Sequence, residues 1–427
     1  MKFVGEHILS VSQFARSDID RLFEVAEKMI PYARREKVTR VLEGAILGNM
    51  FFEASTRTRV SFGCAWNLLG GEVRETTEIK ASSLAKGESF YDTARVLSGY
   101  SDIIVMRHGQ EGSVREFAGA SRVPVINAGD GANEHPSQAL LDLYTIRQEM
   151  HGQGKNVDGL RIALVGDLRF GRAVHSLCEL LSLYKKVDFT LISPRDLSLP
   201  EKYLTLIEER GHQIEESEDL HSGIANSDII YMTRTQEERF ASQDEANKYR
   251  GLLRLNQSIY TEFCEPNTVI MHPLPRDSRG EAQELDEDLN ENPNLAIFRQ
   301  TDNGVVVRMA LFALILDVAE QIETSSRKVN WYTDRRFSCA CLSEKRALYI
   351  DQYIVIEKNI NKDLKKSFVQ EANPITLSFM VDGSKGYDLR QYFRHDRKHS
   401  GCETKSHSPE KTDGLCEGRS VQSYGLC

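Results

Sequence analysis

From its start to about residue 322 the chain alternates short apolar runs with amphipathic stretches. Seven runs have the length and composition of strands: "AILGNMFF", "DIIVMR", "VPVIN", "RIALVGD", "VDFTLIS", "DIIYMTR" and "TVIMH". Helical patterns separate most of them. After Thr58, for example, Phe62, Ala65, Trp66 and Leu69 fall at i, i+3, i+4 and i+7, one face of a helix, and Gly70 and Gly71 stop it. Strands that alternate with helices predict an α/β fold, with parallel sheets flanked by helices. The stretch "HPSQALLDLYTIRQEMHGQGKNVDG" reads as a long helix and then a polar, glycine-bearing link. It predicts a seam between two domains, residues 1–145 and 146–304, each with its own central parallel sheet. "VVVRMALFALILDVAEQI", residues 305–322, is apolar nearly all round and predicts a buried helix, assigned here to the first domain.

The pattern changes after about Thr324. Residues 325–427 read as an extension, either partly disordered or a small appended module. Two strand-like runs, "LYIDQYIVI" and "PITLSFMV", precede a polar tail low in apolar content. The 427 residues carry a formal net charge of -9, which argues against a general nucleic-acid surface but leaves room for a local basic pocket. No apolar run approaches a membrane span, and the start, "MKFVGEHILSVSQFARSD", does not read as a signal peptide. The eight cysteines are scattered. Cys64, Cys178 and Cys264 sit in apolar company and read as buried thiols, so a reducing, cytoplasmic setting is expected. Cys339, Cys341, Cys402, Cys416 and Cys427 do not have zinc-site spacing, so no metal is expected.

The most concentrated chemistry is "FFEASTRTRVSF", residues 51–62. It follows a strand run, and a helix begins near Ser55 or Thr56. Ligands of open α/β sheets sit beyond the carboxyl ends of strands, and a helix start offers unpaired N–H groups. Ser55, Thr56 and Thr58 add hydroxyl donors, and Arg57 adds a planar donor fork. The combination reads as an anion cradle, most simply for phosphate. Capping by Ser55 with solvated arginines is the plainer alternative. "RIALVGDLRFGRAVHSL" invites a dinucleotide reading, but Gly166 and Gly171 do not form G-x-G-x-x-G, and no cofactor is expected.

These motifs, with "SSLAKGES", "MRHGQEG", "NAGDGANEHPSQALLDLYT", "VGDLRFGRAVHSL", "YMTRTQEERF" and "MHPLPR" in that order, resemble the aspartate/ornithine carbamoyltransferase family. "HPLPR", with Pro273, is similar to the aspartate branch. The resemblance implies two α/β domains with the active site in the cleft between them, the first for carbamoyl phosphate and the second for L-aspartate. It implies that Ser55, Thr56, Arg57 and Thr58 hold the phosphate, with Arg57 also stabilising the leaving oxygen. Arg107, His135 and Gln138 would contact the carbamoyl group, as would the Leu274 and Pro275 carbonyls. Arg172, Arg234 and Gln236 would grip aspartate, while Ser82 and Lys86 would enter from a neighbouring subunit, with Lys86 contacting both phosphate and aspartate. A homotrimer would then be the minimal catalyst.

The implied reaction gives N-carbamoyl-L-aspartate and phosphate, an early step of pyrimidine synthesis. Gly109 stands where the family usually shows proline. A carbamoyltransferase for another amino acid, or an inactive scaffold subunit, are the alternatives. Arg59 is expected to be structural, and whether His135 acts neutral or charged stays open.

Overall fold

The computed structural model describes residues 1–77 and 86–329. The two strand-like runs of the extension, its tail and Ser82 lie outside the described residues. The first sheet holds four parallel strands in the order β3-β2-β4-β5, and β1 (Lys37–Val38) stands apart from it. They are β2 (Ile46–Phe51), β3 (Glu72–Thr77), β4 (Ile103–His108) and β5 (Val125–Asp130). The second sheet holds five parallel strands in the order β10-β9-β6-β7-β8. They are β6 (Arg161–Val165), β7 (Asp188–Ile192), β8 (Gln213–Ser217), β9 (Ile229–Met232) and β10 (Val269–Met271). β11 (Arg327–Lys328) pairs antiparallel with β1, and Ser325 and Thr39 hydroxyls meet at 2.7 Å. The folded body therefore runs a few residues into the stretch assigned to the extension.

Helices α1 (Arg16–Ala33), α2 (Thr56–Leu68), α3 (Phe90–Leu97), α4 (Ser113–Ala120) and α5 (Pro136–Gly152) accompany the first sheet. With the second come α6 (Arg172–Leu181), α7 (Glu201–Glu209), α8 (Leu220–Ile224), α9 (Gln243–Asn247) and α10 (Gln257–Phe263). The buried helix near the end is α11 (Ile297–Ile315). It begins eight residues before the predicted start at 305, because its first turns carry polar Arg299, Gln300, Thr301, Asp302 and Asn303. It packs against α1, α2 and α5, and the Phe312 ring meets Trp66 edge-on at 4.9 Å and Phe62 at 5.9 Å. α11 is thus the post on which the two site-bearing helices of the first sheet, α2 and α5, are mounted.

All seven apolar runs are strands. Within the two parallel sheets, the two strands that carry no such run, β3 ("EVRETT") and β8 ("QIEES"), are sheet edges whose side chains are largely exposed. An exposed edge strand tolerates charge and needs no apolar signature, whereas the other two edges, β5 and β10, are buried and keep theirs.

Candidate active site

Parallel pairing sets the site. β2 and β4 run side by side with Phe51 opposite Arg107, and Phe52 N–H donates to the Arg107 carbonyl at 2.9 Å. This register delivers Glu53, just past β2, to the end of β4, where Arg107 Nε lies 3.1 Å from Glu53 Oε2 off hydrogen-bond alignment. In the second sheet Val165 lies opposite Met232, which brings Asp167 beside the segment after β9; Gln236 N–H donates to Asp167 Oδ2 at 3.0 Å. Every candidate strand-end residue therefore lies at a carboxyl end, as ligand-binding α/β sheets require.

Three arginines converge on Glu53. Besides Arg107, Arg172 Nη1 and Nη2 lie 3.5 Å from Oε2, and Arg239 Nη2 lies 3.3 Å from Oε1. Arg172 and Arg239 both donate to the Gly131 carbonyl. A Cβ on Gly129 would stand 3.1 Å from Arg107 Nη1 and 3.2 Å from Arg172 Cζ, so the bare glycine is what lets the two guanidiniums close on this loop. Burial, and then Arg172, push Arg107 down to about 9. Burial chiefly, with Arg239 adding repulsion, also lowers Arg172, while Glu53 pulls both back up. One carboxylate facing three cations leaves the pocket short of negative charge.

The α2 start supplies the rest. Ser55 occupies the N-cap position but its side chain makes no capping bond, which removes the plainer reading of that hydroxyl. The side chains of Ser55, Thr56, Arg57 and Thr58 have no hydrogen-bond or ion-pair partner among the described residues. Arg57 is exposed, and its guanidinium is pushed below the usual arginine value by partial burial and then by Arg234, so the two cations face each other. Arg59 points away to Glu75 at 2.8 Å, as a structural residue would.

His135 is buried at the N-cap of α5, and its Nδ1 has no partner. Burial first, then Arg172, Arg107 and Arg308, hold it well below the ordinary histidine value, so the ring is neutral near pH 7. Gln138, one turn on, donates from Nε2 to Asp142 at 2.9 Å. Arg234 is paired with Glu238 at 2.6 Å, and Gln236 donates to the Arg234 carbonyl at 3.2 Å. The Leu274–Pro275 peptide is cis. His272 Nδ1 accepts from Leu274 N–H at 2.8 Å, so its proton sits on Nε2, which donates to Glu284 at 2.8 Å. That arrangement fixes the backbone at Leu274. Lys86 is exposed and pairs with no described residue. Among the described residues no group of three or more His, Cys, Asp or Glu side chains is placed to hold a metal ion.

The structure thus brings Arg107, His135 and Arg172 together and sets Arg57 near Arg234, while no described contact joins Lys86 to either group. Glu53, Arg239 and Asp142 had no role in the sequence reading. Their signal lies in strand adjacency, since a carboxylate at the end of β2 is meaningful only once β4 is known to be its neighbour.

Two family models match the chain. That of the aspartate/ornithine carbamoyltransferase carbamoyl-P binding domain spans residues 6–148, and that of the Asp/Orn binding domain spans residues 158–315. The chain belongs to the aspartate/ornithine carbamoyltransferase family. Within that family it is 70% identical, over 337 residues, to an aspartate carbamoyltransferase catalytic subunit of Saccharophagus degradans, covering 79% of this chain and 100% of that protein. The corresponding protein of Cellvibrio japonicus is 66% identical over 336 residues, 79% of this chain and 99% of its own length. Among solved carbamoyltransferases, the Trypanosoma cruzi aspartate transcarbamoylase in complex with N-(phosphonacetyl)-L-aspartic acid matches with a TM-score of 0.66. It is 36% identical, over 74% of this chain and 96% of that one. The catalytic subunit of M. jannaschii aspartate transcarbamoylase matches at 41% identity and a TM-score of 0.66, over 76% of this chain and 99% of that one.

Proposed function

We propose that this chain is an enzyme that transfers the carbamoyl group of carbamoyl phosphate to the amine of L-aspartate. The observation that carries the reading is the gathering of Arg107, Arg172 and Arg239 on the single carboxylate Glu53, beside an α2 start with free donors. Such a pocket suits two polyanions that repel each other in water. Family membership and the named relatives support the same chemistry.

The aspartate amine attacks the carbamoyl carbon and forms a C–N bond. Negative charge builds on the carbamoyl oxygen, the C–O bond to phosphate breaks, the amine passes a proton to the departing phosphate, and phosphate leaves. Ser55, Thr56, Arg57 and Thr58 hold the phosphate, and Arg57 steadies the leaving oxygen. Arg107 and neutral His135 face the carbamoyl oxygen, with Gln138 and the Leu274 and Pro275 carbonyls at its amine. Donors that meet charge only as it develops supply the largest part of such catalysis. Arg172, Arg234 and Gln236 hold the two carboxylates of aspartate. No step calls on a cofactor.

Lys86 and Ser82 serve the site of a neighbouring copy in a homotrimer, a role suited to the exposed, unpaired Lys86. The enzyme acts in the cytoplasm, in pyrimidine biosynthesis, without nucleic-acid partners. No helix among the described residues is long and apolar enough to cross a membrane.

A colorimetric assay for carbamoyl-aspartate tests the reading. Product from aspartate and none from ornithine is expected; folded protein inert toward every amino acid would mark a scaffold subunit instead. For the shared site, mixed Lys86→Ala and Arg57→Ala proteins should regain activity after subunit exchange, and no recovery rules it out.

A further inference from the structure

Asp142 lies one helical turn beyond Gln138 on α5 and is fully buried. Its carboxylate gathers three donors from three elements: Tyr231 Oη on β9 at 2.6 Å, Gln300 Nε2 on α11 at 2.6 Å and Gln138 Nε2 at 2.9 Å. The last bond decides the orientation of an amide. With its NH2 group turned to a carboxylate, Gln138 must present its carbonyl oxygen at the other end, because the reverse would set oxygen against oxygen. Asp142 in turn cannot rotate away, since Tyr231 and Gln300 hold it from two other elements.

A cation backs this network. Arg308 on α11 is buried, donates to Ser61 Oγ at 2.9 Å and lies over the Phe62 ring at 4.7 Å. Its guanidinium folds back over Gly304, where a Cβ would come within 2.5 Å of Nη1. The charge of Arg308 acts to keep Asp142 ionised against the burial that opposes it.

We infer that Asp142 is a positioning residue that locks Gln138 as a hydrogen-bond acceptor and thereby makes the site select an acyl phosphate bearing N–H over one bearing a methyl group. The inference rests on the carbamoyl-transfer reading. Carbamoyl phosphate and acetyl phosphate share the phosphate, the acyl carbon and its oxygen, and differ only by NH2 against CH3. Shape separates two such groups poorly. An oriented acceptor separates them, since the amine satisfies it and the methyl leaves it unpaired. An amide free to rotate would lose that discrimination.

The test is kcat/KM of the full chain with carbamoyl phosphate and with acetyl phosphate at saturating aspartate, read by phosphate release. Asp142→Leu, which keeps the volume and removes both acceptor oxygens, should lower the carbamoyl-to-acetyl ratio about tenfold, the scale of one lost hydrogen bond to a charged or buried group. The loss should fall on carbamoyl phosphate. Tyr231→Phe removes one donor to Asp142 without touching Gln138 and leaves Gln300 holding the carboxylate, so it should lower the melting temperature and hold the ratio within about twofold. Asp142→Leu added to Gln138→Ala should change the ratio no further. If Asp142→Leu does not fold, Asp142→Ala takes its place in the same assay. An unchanged ratio in the Asp142 variant, or a further drop in the double variant, overturns the inference while leaving the functional reading intact. A wild-type chain inert toward carbamoyl phosphate overturns both.

Discussion

The two sides of the crevice hold their cations in different ways. On the α2 side, Arg57 and the hydroxyls of Ser55, Thr56 and Thr58 have no protein partner among the described residues. On the side of the second sheet each arginine is already engaged, Arg234 with Glu238 and both Arg172 and Arg239 with Glu53. The first side is therefore ready for an anion as it stands. On the second side a substrate carboxylate must compete with a protein carboxylate, and binding there is an exchange of partners. An exchange returns less free energy than a first pairing, because both the arriving and the departing carboxylate are ones that water solvates well. Glu53 ties the sides together, since it is the only carboxylate among the described residues that pairs with an arginine from each.

The largest test of the contrast is Arg57→Ala. Turnover should fall roughly 100- to 1,000-fold, the usual cost of one donor that acts on developing charge. Stability should stay within about 0.5 kcal/mol, as for other substitutions that break no partner. Near-normal kcat, or a collapsed melting transition, would contradict an unpaired, ready residue.

Glu53→Gln should behave in the opposite way. It removes the one carboxylate that Arg107, Arg172 and Arg239 share, so stability should fall by about 2 kcal/mol, on the scale of charged hydrogen bonds. Saturating phosphate with aspartate should recover part of the loss by supplying negative charge. A variant as stable as wild type, with no response to either anion, would show that Glu53 does not hold the sides together. Gly129→Ala reaches the same junction from the backbone. Gly129 has φ +119, and a methyl there crowds Arg107 and Arg172 together. About 1 kcal/mol of strain is expected, with kcat/KM for both substrates lowered several-fold; an effect on one substrate alone would place the crowding elsewhere.

What the sequence made legible follows the same division. The α2 side is local: strand run, helix start, hydroxyls and Arg57 fall within a dozen residues, so their role can be read in a line. The engaged side is not. The tie of Arg239 to Glu53 spans two sheets, and nothing in "YMTRTQEERF" distinguishes Arg239 from a surface cation. The charge state of His135 was open for the same reason, since it depends on burial and on cations from β4, α6 and α11. In the fold, buried strands announced themselves by apolar runs, whereas the exposed edges β3 and β8 did not, because they bury too little to need one.

The seam itself offers the smallest and most specific test. Asp142 joins α5 of the first half to β9 of the second and to α11. Burial raises it to about 6, against hydrogen bonds from Tyr231, Gln300 and Gln138 and the charge of Arg308, which act to lower it. A carboxyl raised in the folded state stabilises the fold most below its unfolded value, and that contribution is lost as pH rises through its folded value. Asparagine is neutral throughout and has no such dependence. The stability gap between wild type and Asp142→Asn should therefore be wider at pH 5 than at pH 7.5, by about 1 kcal/mol. Paired melting curves at the two pH values measure it directly, and the common titrations of the rest of the chain cancel in the difference. A gap that widens towards pH 7.5 would mean that the three donors and Arg308 outweigh burial, and that the seam is held by an ion.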